Sequence, residues 1–285
     1  MKKLIPRLLI FFVGLPVLFA VVILLPAHNH LVLNLMVVIA SILGAMEFQY
    51  ILKLKNLYIP LPEAAILGGL IPGLTMAVAC LNFNLIGITV IIMAGFFWLI
   101  VSRVFSSHEK QDAFVFRVAA GFSVIIYPGL FLTWIILMTL LPNPEIIIIT
   151  FLLIVFLNDS VAWATGMLFG NGNRGIIPAS PNKSIAGFIG GILASVGVGI
   201  AAEILFPQSF DSRFLLSPLA GACLGFISGI AAILGDLGES VLKRSAVIKD
   251  SGFIMPGRGG ILDSIDSIAL AAPVFFLVYS LLFIN

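Results

Sequence analysis

Five of the chain's 13 acidic residues and four of its 15 basic ones lie in one segment, GDLGESVLKRSAVIKDSGFIMPGRGGILDSIDS, from Gly235 to Ser267. Asp236, Glu239, Ser240 and Lys243 stand at i, i+3, i+4 and i+7, so they share one face if the preceding apolar run continues as a helix. Asp263 and Asp266 open the next apolar run, where a helix dipole favours carboxylates. Between them, Pro256-Gly257-Arg258-Gly259-Gly260 is a turn that folds the chain back and brings Asp263 towards Asp236. Its glycines also let backbone amides approach a phosphate. A few carboxylates converging with several cations fit magnesium shared between protein and substrate phosphates, since an all-protein cage needs more acids. The chemistry expected is metal-assisted phosphate chemistry at a membrane surface. The competing reading is a charged loop making surface ion pairs of little energetic worth.

Two upstream features point the same way. Asp159, in Asn158-Asp159-Ser160, falls about 13 residues into an apolar run, roughly 20 Å from its external end. A carboxylate at that depth costs on the order of 3 kcal/mol unless it faces a polar cavity or partner. In Ser180-Pro181-Asn182-Lys183-Ser184, a lysine flanked by hydroxyls precedes a helix start, where charge and amide dipoles together can hold a phosphate. No GxxxxGK[ST] or HExxH string occurs, which leaves P-loop and zincin chemistry unsupported. Glu47, Glu63 and Glu203 fall near expected helix ends, where snorkelling or dipole effects account for them. Cys80 and Cys223 read as small core residues, and Trp98, Trp134 and Trp163 as packing or interfacial residues.

These residues must be positioned by helices in lipid. The chain is 61% hydrophobic and 10% charged, against roughly 25% charged in soluble domains. It reads as an all-α, polytopic helical membrane protein forming one integral membrane unit. Apolar runs near 8–25, 31–52, 62–81, 85–102, 118–141, 146–170, 186–205, 214–235 and 267–284 give about nine transmembrane helices. The first run has the outline of a signal peptide but lacks a good cleavage site after Leu25, so a retained helix is expected. Lys2, Lys3, Arg7, Lys53, Lys55, Arg103, Lys110, Arg117, Arg174, Lys183, Lys243, Arg244, Lys249 and Arg258 all fall on one side, leaving only Arg213 opposite. Basic loops stay inside, so the N-terminus is expected in the cytosol and the C-terminus outside. The basic residues form no single patch, and no nucleic-acid partner is expected. Helices and loops of 1–117 precede a catalytic region, 118–285, with cytosolic loops 171–185 and 236–266. Small residues recur every fourth position at Gly187, Gly191, Ser195 and Gly199, and at Gly221, Gly225 and Gly229, a pattern that lets helices pack closely in lipid.

Together, Ser240-x-x-Lys243-Arg244, Lys249-Asp250, Pro256-Gly257-x-Gly259-Gly260 and Asp263-x-x-Asp266 resemble the signature of CDP-diacylglycerol synthases (phosphatidate cytidylyltransferases). Asn158-Asp159-Ser160 and Ser180-Pro181-x-Lys183-Ser184-x-x-Gly187 are similar to that family's two upstream motifs, in the same order. The chain departs from the family at Arg258, where His is usual, at Ser264, where Arg is usual, and at Ile185-Ala186, where Trp-Glu is common. The resemblance implies transfer of CMP from CTP to phosphatidic acid by a homodimer in the cell (inner) membrane, acting at the cytosolic side. It implies Mg2+, with a second cation compatible. Asp236 and Asp263 are then the principal metal ligands, and Asp266 a further ligand or its support. Lys183, Lys243, Arg244 and Lys249 contact phosphates, with Ser180, Ser184, Ser240 and Arg258 beside them, and Asp159 organises metal or nucleotide. Two alternatives stand: a CTP-dependent kinase of a polyprenol-like lipid, and a non-catalytic paralogue that binds nucleotide or lipid.

Overall fold

In hydrocarbon every backbone N–H and C=O must be satisfied within its own segment, and this chain answers with helices. The computed structural model describes residues 10–57, 59–81, 85–104, 114–212, 217–255 and 259–284. Its helices are α1 (Leu15–Leu24), α2 (Ala27–Leu54), α3 (Leu61–Leu81), α4 (Leu85–Val104), α5 (Phe114–Met138), α6 (Pro144–Phe169), α7 (Ile185–Leu205), α8 (Leu219–Ser245) and α9 (Leu262–Phe283). Seven of these, α2, α3 and α5 to α9, are long and apolar enough to cross a membrane. The other two expected spans are represented by shorter apolar stretches, Phe12–Leu24 and Ile92–Val101. Among the described residues, the only β-type pairings are two isolated bridges, Arg174 with Ser184 and Met255 with Gly259.

Local chemistry explains several boundaries. In α2, His28, Asn29 and His30 take left-handed backbone angles, so the right-handed helix begins after them, where the apolar run 31–52 places it. In α5, Pro128 has no N–H to give the preceding turn, and Ile125–Leu130 widens into a π-turn. Separately, the Pro128 carbonyl accepts from Ser41 Oγ of α2, which also lies 2.8 Å from the Gly68 carbonyl. The helix of the acidic segment does continue: α8 runs unbroken to Ser245, so Asp236, Glu239, Ser240 and Lys243 share its last turns.

The chain divides into two compact units, residues 1–140 with 246–264, and residues 141–245 with 265–285. The first is packed through Leu33, Phe48, Ile51 and Ile136, all buried, with Phe48 edge-on to Tyr127 at 5.5 Å. The second is built on close helix approach. A Cβ on Gly199 would strike the Gly221 carbonyl, one on Gly225 the Ser195 carbonyl, and one on Gly191 would sit 2.9 Å from the Asn158 carbonyl. The small-residue ladder of α7 therefore serves two neighbours: Gly187 and Gly191 face α6, Gly199 faces α8, and Ser195 touches both. Polar bonds lock the trio, with Asn158 Nδ2 donating to Ser195 Oγ at 2.9 Å and to the Gly229 carbonyl at 3.3 Å. Towards the other end Tyr279 Oη donates to the Ser209 carbonyl at 2.6 Å, and Phe151 packs on Phe275.

This packing predicts opposite outcomes for two glycines. Gly225→Val drives a branched side chain into the α7 backbone and should lower the melting temperature in detergent by several degrees, as overpacking does at about 1–3 kcal/mol. Gly197→Ala, on α7 with open space around it, should leave it nearly unchanged.

Candidate functional site

The second unit holds a cavity of about 420 Å³ lined by α6, the loop after it, the start of α7 and α8. Asp159, Asn158 and Trp163 come from α6; Arg174, Asn182 and Lys183 from the loop; Ser184, Gly187 and Phe188 from the start of α7; Ile233 and Asp236 from α8. Asp159 thus faces a cavity, as its depth in an apolar run demands. Trp163 is 68% exposed on that wall and Met167 is also open, so the same cavity that presents charge has an apolar side.

The loop is positioned by its own backbone. Ile185 N donates to the Asn173 carbonyl at 3.1 Å, and Arg174 pairs with Ser184, so the loop closes on itself before α7 starts. Ser184 is the N-cap of α7, its Oγ accepting from Gly187 N at 3.1 Å, and Ser180 accepts from Lys183 N at 3.2 Å through its carbonyl. Lys183, held between cap and turn, forms an ion pair with Asp236 and lies 6.0 Å over the Phe188 ring. Arg174 Nη2 donates to the Gly166 carbonyl at 2.8 Å. Its place on the cavity wall makes Arg174 a cation that the motifs did not single out.

Acids gather around the α8 face. Asp159, Asp236 and Glu239 are all near enough to Asp266 to act on it electrostatically, and Ser267 Oγ lies 3.5 Å from Asp159 Oδ2. Glu239 is fully buried and pairs with Lys243, one turn on and itself nearly buried. Arg244 Nε reaches the Ala179 carbonyl at 3.4 Å, tying the end of α8 to the loop that carries Lys183. Ser240 lies half-buried beside Glu239, while Lys249 is exposed. Among the described residues, no three His, Cys, Asp or Glu side chains form a group able to hold a metal alone. Oxygen donors of this kind suit a hard cation whose remaining ligands come from phosphate.

In the first unit Asp263 sits at the start of α9, and one of its oxygens is intensely engaged. Oδ2 accepts from Ser251 N at 2.8 Å, Ser251 Oγ at 2.9 Å and Gly260 N at 2.7 Å. Paired bonds between Met255 and Gly259, at 2.8 and 3.1 Å, close the turn. Arg258, expected as a phosphate contact, and Pro256-Gly257 lie outside the described residues. The glycine amide at 260 serves the Asp263 carboxylate, where the sequence pointed to a phosphate. Glu47 is a correction to the sequence reading. Its carboxylate, 7% exposed, accepts from Ser251 Oγ, Ile261 N and Leu262 N, so snorkelling does not account for it. The available signal was its position: it stands seven residues before the end of α2, about 10 Å inside it.

Comparison with known proteins bears on the family of the chain. The sequence profile of the cytidylyltransferase family matches residues 5–282. A phosphatidate cytidylyltransferase of Synechocystis is 36% identical over 139 residues, 47% of this chain and 45% of that protein. One of Staphylococcus haemolyticus is 42% identical over 122 residues, 43% of this chain and 44% of that protein. The uncharacterized protein YnbB of Escherichia coli is 30% identical over 209 residues, 69% of this chain and 66% of that protein. The matches to the two named enzymes thus span somewhat under half of their lengths. With the profile extending over nearly every residue, the chain belongs to the cytidylyltransferase family.

Proposed function

We propose that the chain transfers CMP from CTP to phosphatidic acid at the cytosolic face of the cell membrane, giving CDP-diacylglycerol and pyrophosphate. The observation that carries this reading is the cavity itself, where Lys183, Arg174, Asp236 and Asp159 meet an apolar wall of Trp163, Met167 and Phe188. A site for a nucleotide alone has no need of that wall. A site for a lipid phosphate has, because the headgroup needs cations while the acyl chains need apolar surface.

In the reaction a phosphate oxygen of the lipid attacks the α-phosphorus of CTP in line. One P–O bond forms, the bond from the α-phosphorus to the bridging oxygen breaks, and pyrophosphate leaves with that oxygen. Lys183 and Arg174 face the cavity and hold phosphate oxygens; Lys243, Arg244 and Lys249 are the further cations of this role. Asp236 and Asp263 are the proposed magnesium ligands, with Asp266 as a further ligand or support, and the ion supplies charge neutralisation at the triphosphate. The Lys183–Asp236 pair gives Asp236 a counter-charge that phosphate binding would draw away. Homodimerisation is part of the proposal by family resemblance.

Purified protein supplied with phosphatidic acid and CTP labelled at the α-phosphorus should place the label in lipid, while γ-label should leave in pyrophosphate. Lipid carrying the γ-label would establish a kinase instead, and CTP binding with neither product would establish a non-catalytic relative. Asp236→Asn and Asp263→Asn should each lower turnover on the order of 100-fold or more, because an amide is a poor ligand for a hard cation, and Asp159→Asn, which takes a charge from the cavity wall, should also impair it severely.

Access to CTP requires the segment between α8 and α9 to face the cytosol. Val247, 90% exposed just after α8, is the place to ask. In Val247→Cys, with the native cysteines replaced, an impermeant thiol reagent should label only after the cell membrane is opened. Labelling in intact cells would reverse the topology.

A further inference from the structure

We infer that Glu47 of α2 is a positioning residue for Asp263: it sets the first turn of α9 and, through Ser251, the direction of the Asp263 carboxylate. The inference rests on the reading of Asp263 as a metal ligand given above. A carboxylate buried in an apolar helix is costly unless it is fully engaged. Glu47 is engaged by both oxygens: Oε1 accepts from Ile261 N at 3.0 Å, and Oε2 from Leu262 N at 2.8 Å and from Ser251 Oγ at 3.0 Å.

Two of those donors are amides at the N-terminus of α9, groups that a helix leaves without partners of its own. Their cap comes here from a side chain more than 200 residues earlier in the chain. Because Leu262 precedes Asp263, fixing its amide fixes the rotation at which the Asp263 side chain leaves the helix. Ser251 then connects the two acids. Its hydroxyl lies 3.0 Å from Glu47 Oε2 and 2.9 Å from Asp263 Oδ2, and its single proton can serve only one at a time.

The loop is shaped to these two carboxylates. A Cβ on Gly252 would come within 2.5 Å of Glu47 Oε1, one on Gly260 would overlap Glu47 Oε2, and one on Gly259 would lie 2.5 Å from Asp263 Oδ2. Gly259 also has φ +112°, which L side chains rarely adopt. Thus three loop glycines make room for acids, and one of those acids comes from a helix that carries none of the family motifs.

The test uses the full chain in detergent micelles with Mn2+ as a paramagnetic substitute for Mg2+, bound ion being measured from the loss of the free Mn2+ resonance. Wild type should take up Mn2+ and Asp263→Asn should lose that binding. Glu47→Gln, which turns an NH2 towards the α9 amides, should weaken binding about tenfold, while Glu47→Gln/Asp263→Asn should bind no more weakly than Asp263→Asn alone. Should Glu47→Gln fail to fold, Ser251→Ala, which removes only the linking hydroxyl, should still weaken binding several-fold. Wild-type Mn2+ affinity in folded Glu47→Gln, or in Ser251→Ala when Glu47→Gln does not fold, overturns the inference. So does Glu47→Gln losing the ion while Asp263→Asn keeps it, because the effect then bypasses Asp263. A wild type that takes up no Mn2+ overturns the reading of Asp263 as a ligand and the inference with it. A wild type that binds Mn2+ through Asp263 yet makes no CDP-lipid sinks the proposed reaction and leaves the role of Glu47 standing.

Discussion

An ionisable group in an apolar chain must find a partner or a polar cavity, and that constraint organises both units. In the second unit Asp236 has Lys183, Glu239 has Lys243, and Asp159 opens onto a cavity. In the first, Glu47 and Asp263 have the amides and hydroxyl of one loop. Each arrangement restricts where its helix can sit, because sliding by one turn would strand a charge in a medium that cannot solvate it. Charge therefore acts here as a register device, and the hydrophobic surroundings make it an exacting one.

Close backbone approach is what lets these partners reach one another. Lipid gives helices little incentive to associate, so contact depends on dispersion and on polar bonds across the interface. The α7 glycines supply the first by admitting carbonyls of α6 and α8 to within a Cβ's distance. Asn158 supplies the second, linking α6 to Ser195 on α7 and to a carbonyl of α8. Its neighbour Asp159 is thereby held on the cavity wall. The polar residue that packs and the polar residue that faces the cavity are adjacent in sequence because a helix turns by about 100° per residue.

The helices and the α8 face were legible because their signals are local. Apolar runs mark spans, i, i+3, i+4 and i+7 spacing marks a face, and a lysine between hydroxyls just before an apolar run marks a helix start. Asp159 was legible by cost, since an acid within an apolar run calls for an explanation. Glu47 has the same cost, yet its partners, Ser251, Ile261 and Leu262, lie over 200 residues away. No local pattern contains that distance. The bond from Ser41 to the Pro128 carbonyl escaped for a related reason, since its two ends lie on different helices. Arg174 was visible only as one basic residue among several, and its value lies in sharing a cavity wall with Lys183.

The departures from the family pattern also acquire a physical sense. Ser264, where the resemblance leads one to expect Arg, directs its hydroxyl back to the Gly260 carbonyl at 3.1 Å. It bonds the turn that supplies the Asp263 amide contact and reaches no further. A cation is thus missing from the first turn of α9, at a position four residues beyond Gly260. Arg258, where His is usual, adds a permanent guanidinium six residues earlier in the same segment. Along the sequence between Gly235 and Ser267, one basic residue is given up at Ser264 and one permanent charge is gained at Arg258. Ser264 is left to hold the Gly260 end of the segment, on which the Asp263 carboxylate depends.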